Sequence, residues 1–236
     1  PSDDQKVDHG HYETAIGKRK FVDDMILDGM LYATLKFSDH PRAIVKSINT
    51  TDAEKVKGVH RIFTAKDVPG KRHIGLIISD WPVMIAAGET TNYIGDVLAG
   101  VVADSDAIAR KAVELIKVEY EILKPVTDVF EAIDAERIHP ERPNNFETTT
   151  FKIGNFDETI SDSKFVSSGT YSTQRIEHAF MEKEAAIAYP DDEGIHLLSQ
   201  SQGIYEDRRQ VALILGLPEE KVRVTLVPNG GGFGGK

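Results

Sequence analysis

Hydrophobic and polar positions change their period several times along this chain, and each change predicts an element. RAIVKSINT (residues 42–50) is rich in β-branched positions and predicts a strand with Ile44 and Ile48 on one face, flanking Lys46. Thr51-Asp52-Ala53-Glu54 then reads as a capping box, and Gly58 ends a short helix before the strand-like VHRIF. The same order recurs without obvious identity between the copies. GDVLAGVVAD (95–104) is a continuous apolar strand, Asp104 or Ser105 caps the helix DAIARKAVELI, and KVEYEIL alternates, with Val118, Tyr120 and Ile122 opposite Glu119 and Glu121. Two β-α-β units followed by Pro125 predict a first domain over residues 10–130.

Apolar periodicity is lost over residues 131–150, EAIDAERIHPERPNNFETTT, which reads as a linker. The second domain, 151–236, opens strand-rich: SKFVSSGTYST, then KEAAIAYP and GIHLLSQSQ, joined as a hairpin by the turn PDDEG. The helix GIYEDRRQVALIL follows, with Ile204, Val211, Ile214 and Leu215 on one face, Gly216 at its end and Pro218 beyond. Val222, Val224 and Leu226 alternate with Arg223, Thr225 and Val227 in a last strand that delivers the chain into PNGGGFGGK. The fold class is α+β.

Charge and composition narrow the chemistry. A formal net charge of −10 repels phosphate backbones and anionic membranes, which argues against nucleic acid as a partner. No apolar run approaches the roughly 18–20 residues of a membrane-crossing helix, and a cytoplasmic protein is expected. With no cysteine, the chain holds no disulfide, no thiolate-bound zinc and no iron–sulfur cluster. His9 and His11 lack a nearby third ligand and read as a solvated tail, so no metal ligand is expected from the protein.

The glycine loop has two readings by pattern. Gly230, Gly235 and Lys236 satisfy the G-x-x-x-x-G-K of a phosphate loop, although the hydroxyl residue that should come next would fall beyond Lys236. Alternatively the loop is a turn without a ligand. Five glycines around one phenylalanine carry a stability cost of up to about 1 kcal/mol each in regular structure, which weighs against that second reading.

Three blocks of residues add a resemblance. EHAFMEKEAAIAYPDDEGIHLLSQSQ (177–202), LGLPEEKVRV (215–224) and GGGFGGK (230–236) resemble, in order and spacing, the molybdenum-binding region of the xanthine dehydrogenase and aldehyde oxidase family, the molybdenum hydroxylases. Residues 31–70 and 93–128 resemble the α/β hammerhead domain of that family, with Asp96 departing from its more usual Gln or Glu. The resemblance implies a hammerhead domain followed by the first strands and helix of an incomplete molybdopterin-binding domain. It implies hydroxylation of a purine-like or other N-heterocycle, or of an aldehyde, with oxygen from water. The implied cofactor is molybdenum-molybdopterin, the cytosine dinucleotide form included among its variants, with FAD and 2Fe-2S clusters on other domains or subunits. Gly232, Phe233 and Gly234 take the loop positions beside the cofactor, and Gln202, 31 residues before Phe233, takes that of the hydrogen-bond donor to a molybdenum oxo group. Glu177, His178, Phe180 and Glu182 fall in a recurring block, His178 reading as structural. No catalytic residue is expected within this chain, because the family's general-base glutamate would lie beyond Lys236. The chain reads as an amino-terminal piece of a molybdenum subunit, inactive alone and partnered by the rest of that subunit, by iron–sulfur and flavin subunits or domains, and by a small-molecule substrate. A non-catalytic assembly module is the alternative.

Overall fold

The computed structural model describes residues 10–137, 139, 142–145 and 147–236. His9 and the side chain of His11 lie outside the described residues, as do Pro140 and three other positions of the expected linker. Among the described residues no helix is long and apolar enough to cross a membrane. The described residues up to Leu123 pack with His178–Lys236 as one unit, and Lys124–Glu177 form a second.

In the first unit a short helix α1 (His11–Ala15) precedes strands β1 (Tyr32–Phe37) and β2 (Ala43–Asn49), helix α2 (Thr51–Glu54) and strand β3 (Val59–Thr64). A two-residue hairpin follows, β4 (His73–Ile74) with β5 (Trp81–Pro82), then β6 (Val97–Ala103), α3 (Asp106–Val113) and β7 (Lys117–Ile122). The two predicted β-α-β units are present in order but interleave in space. β6 lies between β1 and β3 and is antiparallel to both, while β2 pairs antiparallel with β7 in a separate sheet. Each short helix therefore carries the chain from one sheet to the other. β6 is apolar throughout because its neighbours on both edges and α3 cover it: Leu98, Ala99, Val101 and Ala103 are fully buried. Ala53, Ala99, Val101, Ala112 and Ile116 form one core cluster, and Val45, Ile85 and Leu98 a second.

Several local expectations shift. Ser105 rather than Asp104 caps α3, its hydroxyl accepting the Ile108 N–H at 3.3 Å. Thr51 does not cap α2: Thr50 precedes the helix and its hydroxyl donates to the Glu54 carboxylate at 2.6 Å, while Asn49 Oδ1 accepts the Thr51 N–H at 3.0 Å. In β2 a bulge between Val45 and Ser47 breaks the alternation, so Ala43 and Val45 turn fully inward and Ile48 joins them. In β7, Val118 and Tyr120 pack on the core while Ile122 stays exposed.

The second unit contains α4 (Val129–Asp134) and α5 (Phe156–Asp162). Asp128 caps α4 by accepting the Phe130 and Glu131 N–H groups, and the Asn144 side chain donates back to the carbonyls of Ala132 and Ala135. α4 thus occupies the start of the expected linker. α5 was not anticipated, although Asn155 with Glu158 is an N-terminal signature, the Asn155 amide donating to the Glu158 carboxylate at 2.6 Å. The expected strand over 163–173 has no regular secondary structure. β-propensity is realised only against a partner strand, and none pairs with it among the described residues.

The carboxyl-terminal part of the first unit is the expected hairpin β8 (Ala186–Pro190) and β9 (Ile195–Ser199), helix α6 (Ile204–Leu215) and strand β10 (Val222–Leu226). β10 runs parallel to β9, the pairing that requires a crossover helix. Gly216 ends α6 in the left-handed region, with φ 66°. Ala212 is the most buried residue of α6. Two of its last carbonyls are satisfied from the first half of the chain: Gly70 N–H donates to Ile214 and Lys71 N–H to Leu213, both at 2.8 Å. Past β10, Val227 is buried while Leu226 is exposed.

Candidate functional site

The glycine loop is fastened at each of its bends by a side chain from elsewhere in the same unit. β9 ends at Ser199, and the four residues before α6 carry Gln200 and Gln202 toward the loop that leaves β10. Gln200 is buried; its amide donates to Lys183 O at 2.6 Å, and its main-chain carbonyl accepts from the Asn229 side chain. Asn229 Oδ1 in turn accepts the Gly231 N–H at 2.7 Å. Glu182 Oε2 accepts the Gly230 N–H at 2.7 Å and the Lys236 ammonium at 2.8 Å. Gly235 N–H closes a turn onto Gly232 O at 2.7 Å.

Gln202 meets the middle of the loop. Its Oε1 accepts the Gly234 N–H at 2.8 Å, which leaves Nε2 as a donor with no partner among the described residues. A Cβ on Gly232 would stand 2.6 Å from Gln202 Oε1 and 2.9 Å from Cδ, so the glutamine occupies the space that only a glycine leaves. Gly234 has φ 85°, and Phe233, between them, is itself held at φ 50°, a conformation that costs a bulky residue on the order of 1–3 kcal/mol. The Phe233 ring is nonetheless 74% exposed. The N–H groups of Gly232 and Phe233 make no hydrogen bond among the described residues. The structure therefore brings all four anticipated site residues together, as a braced loop with two unspent backbone donors and one unspent amide donor.

Lys236 does not behave as the lysine of a phosphate loop. Its side chain is 1% exposed, pressed over the Phe180 ring at 4.7 Å and paired to Glu182, whose side chain is 6% exposed. The same carboxylate oxygen takes the Gly230 N–H that a phosphate loop would offer to its ligand. The phosphate-loop reading is thereby corrected: both of its diagnostic groups are consumed internally. His178 and Phe180 pack under Gly235, each 3.0 Å from where a Cβ would lie, in keeping with a structural His178. Asp96, the departure noted in the sequence, is buried in a turn where its Oδ2 accepts the N–H groups of Asn92 and Tyr93.

Glu182, Asn229 and Gln200 were not singled out from the sequence as loop-fixing groups. The signal available for Glu182 was a carboxylate beside an apolar strand, in need of a cation, with Lys236 the cation that follows the glycines.

The residues fit a bulky, anionic, oxygen-rich cofactor. Donors are free, Cβ atoms are absent at the approach, and the Glu182 carboxylate at the loop's base is neutralised by Lys236. Comparison with known proteins agrees. Residues 16–124 match the model of the aldehyde oxidase and xanthine dehydrogenase a/b hammerhead domain, and residues 138–236 match that of the molybdopterin cofactor-binding domain. A probable xanthine dehydrogenase subunit from Bacillus subtilis is 38% identical over 223 residues, 93% of this chain and 30% of that protein. The nicotinate dehydrogenase large molybdopterin subunit of Eubacterium barkeri is 32% identical over 234 residues, 98% of this chain and 54% of that protein. The aldehyde oxidoreductase structure from Desulfovibrio desulfuricans superposes with a TM-score of 0.85 at 28% identity, over 94% of this chain and 26% of that one. The chain thus spans about a sixth to a half of the curated relatives it matches. With the interleaved sheets, the parallel β9-α6-β10 crossover and the braced glycine loop in place, the chain belongs to the aldehyde oxidase and xanthine dehydrogenase family of molybdenum hydroxylases, and it matches the family's hammerhead domain and its molybdopterin cofactor-binding domain.

Proposed function

We propose that this chain contributes the glycine-loop wall of the molybdopterin site in a hydroxylase acting on an N-heterocycle or an aldehyde. The observation that carries the proposal is the Gln202–Gly234 hydrogen bond of 2.8 Å, which fixes the carboxamide with its oxygen spent and its nitrogen free. The bound molybdenum–pterin group would supply two-electron redox chemistry and oxygen taken from water. The chain's own residues hold and orient. Gln202 Nε2 donates to an oxo group without adding charge beside it, Gly232 and Phe233 offer main-chain N–H groups, and the Phe233 ring covers the approach. Any iron–sulfur cluster and FAD of the intact enzyme would be carried by other domains or subunits, since this chain has no cysteine for a cluster. Among the similar proteins, the names xanthine dehydrogenase and nicotinate dehydrogenase support the heterocycle and the name aldehyde oxidoreductase supports the aldehyde.

Gln202→Ala in the intact enzyme tests the assignment. One oriented donor is worth on the order of 10²-fold in turnover at the best-studied oxyanion sites. Molybdenum content should stay near that of the unsubstituted protein while turnover falls. Unchanged turnover at full molybdenum loading would return Gln202 to a purely structural role.

A second reading, an assembly module, has support of its own. Leu76, Ile77, Trp81, Tyr93 and Ile94 stand exposed on the excursion between β3 and β6, and large apolar side chains gathered on a surface mark contact with another protein. The two readings are compatible in one polypeptide.

A further inference from the structure

The loop's two ends converge on one carboxylate oxygen. Glu182 stands four residues before β8, in a segment with no regular structure of its own, and reaches both the first glycine of the loop and the lysine that follows the last. Its other oxygen, Oε1, is buried and has no hydrogen-bond partner among the described residues. The carboxylate is thus committed through a single atom to two donors that lie six residues apart in sequence. Burial makes the pairing obligatory in both directions, because neither the ammonium nor the carboxylate has water as an alternative. Nothing else among the described residues ties Gly230 to Lys236. Between these anchors lie the Gly234 N–H that holds Gln202, and the free N–H groups of Gly232 and Phe233.

We propose that Glu182 is a positioning residue of the cofactor site: its carboxylate clasps the loop at Gly230 and Lys236, and thereby sets where Gly232–Gly234 stand and how the Gln202 carboxamide is turned. The proposal rests on the cofactor reading of the loop. The clasp itself, however, is a property of this chain and is read out without cofactor. Glu182 touches no reacting atom; it acts through the loop.

Amide hydrogen exchange on the intact protein, with and without bound molybdenum, tests the clasp in Glu182→Ala, Glu182→Gln and the double variant Glu182→Gln/Lys236→Met. Glu182→Ala should speed exchange at the hydrogen-bonded amides of Gly230, Gly231, Gly234 and Gly235 by at least about tenfold, since a hydrogen bond to a charged acceptor is lost at each end. Peptides from β9 and β10 should be unaffected. Glu182→Gln keeps an acceptor for Gly230 but strands the Lys236 charge, and it should exchange fast as well. The double variant keeps the acceptor and removes the stranded charge, so it should recover loop protection, molybdenum content and kcat together. Loop exchange in Glu182→Ala equal to that of the unsubstituted protein would overturn the proposal. So would a double variant no better than Glu182→Gln, because the effect would then not be the clasp. Gly234→Val, read by molybdenum content alone, reports on the cofactor reading independently: full loading in that variant counts against the reading while leaving the exchange result on Glu182 intact.

Discussion

Gly232 and Gly234 do different work although neither has a side chain. At Gly232 the need is space, because Gln202 Oε1 lies 2.6 Å from where a Cβ would stand; at Gly234 the need is a φ of 85°, with nothing within 4 Å of that position. Alanine at 234 therefore meets only the strain of a left-handed residue, about 1–2 kcal/mol. Alanine at 232 must evict Gln202 from the Gly234 N–H. Gly232→Ala should accordingly reproduce the loss of turnover of Gln202→Ala, and combining the two should add little. Steady-state kinetics on Gln202→Ala, Gly232→Ala and their combination at matched molybdenum content decides it. The loop's glycines and Gln202 were legible because their types and order carry the family's pattern. Glu182 was not, because its role depends on Lys236, 54 residues away, folding back to it. With Glu182 left buried and unpaired, Lys236→Ala costs on the order of 3–5 kcal/mol of stability.

Among the elements, the excursion between β3 and β6 is held by an ion pair as well as by its short β4–β5 ladder and backbone bonds to β2. Arg72 Nη1 donates to Glu89 at 3.0 Å, with a second contact through Nη2, and Glu89 also accepts the Ala86 N–H at 2.8 Å. The Arg72 side-chain hydrogen bond is the main reason that Glu89 titrates below the ordinary glutamate range, against some desolvation. A carboxylate depressed in the folded state stabilises it fully above its unfolded value, about pH 4.3, and that stability is lost as pH falls through the lower, folded value. Thermal unfolding should therefore shift to lower temperature below about pH 4.3, and Glu89→Gln should flatten that part of the profile. An unchanged acid limb in the variant would mean the pair contributes nothing to stability. Local periodicity revealed β6, α3, β7, the β8–β9 hairpin and α6, but could not reveal which strands pair. The interleaving of β2 with β7 and of β3 with β6 is a long-range choice, and the bulge that turns Val45 and Ile48 inward belongs to the pairing rather than to RAIVKSINT itself. The stretch 163–173 has a strand's composition and lacks a strand's partner among the described residues.

On the scale of the whole chain, the packing is discontinuous in sequence. Residues up to Leu123 and those from His178 onward share one unit, with Gly70, Lys71 and the Gly75 carbonyl bonded to α6. Lys124–Glu177 lie between them in sequence and leave Phe151, Ile153, Phe165 and Tyr171 exposed. Limited proteolysis should cut first within that segment, notably across the Pro-containing stretch at 134–150, and give two fragments on a denaturing gel that still travel as one particle in size exclusion. Separation of the fragments, or early cuts inside β6 or β7, would contradict the shared unit. The central claim is that GGGFGGK is a cofactor wall and not a phosphate loop, and metal analysis of the intact protein tests it most directly. The account predicts molybdenum and pterin close to stoichiometric in the unsubstituted protein, loss of both in Gly234→Val, and no binding of ATP by either. Micromolar ATP binding that depends on magnesium and Lys236, in a protein free of molybdenum, would contradict it.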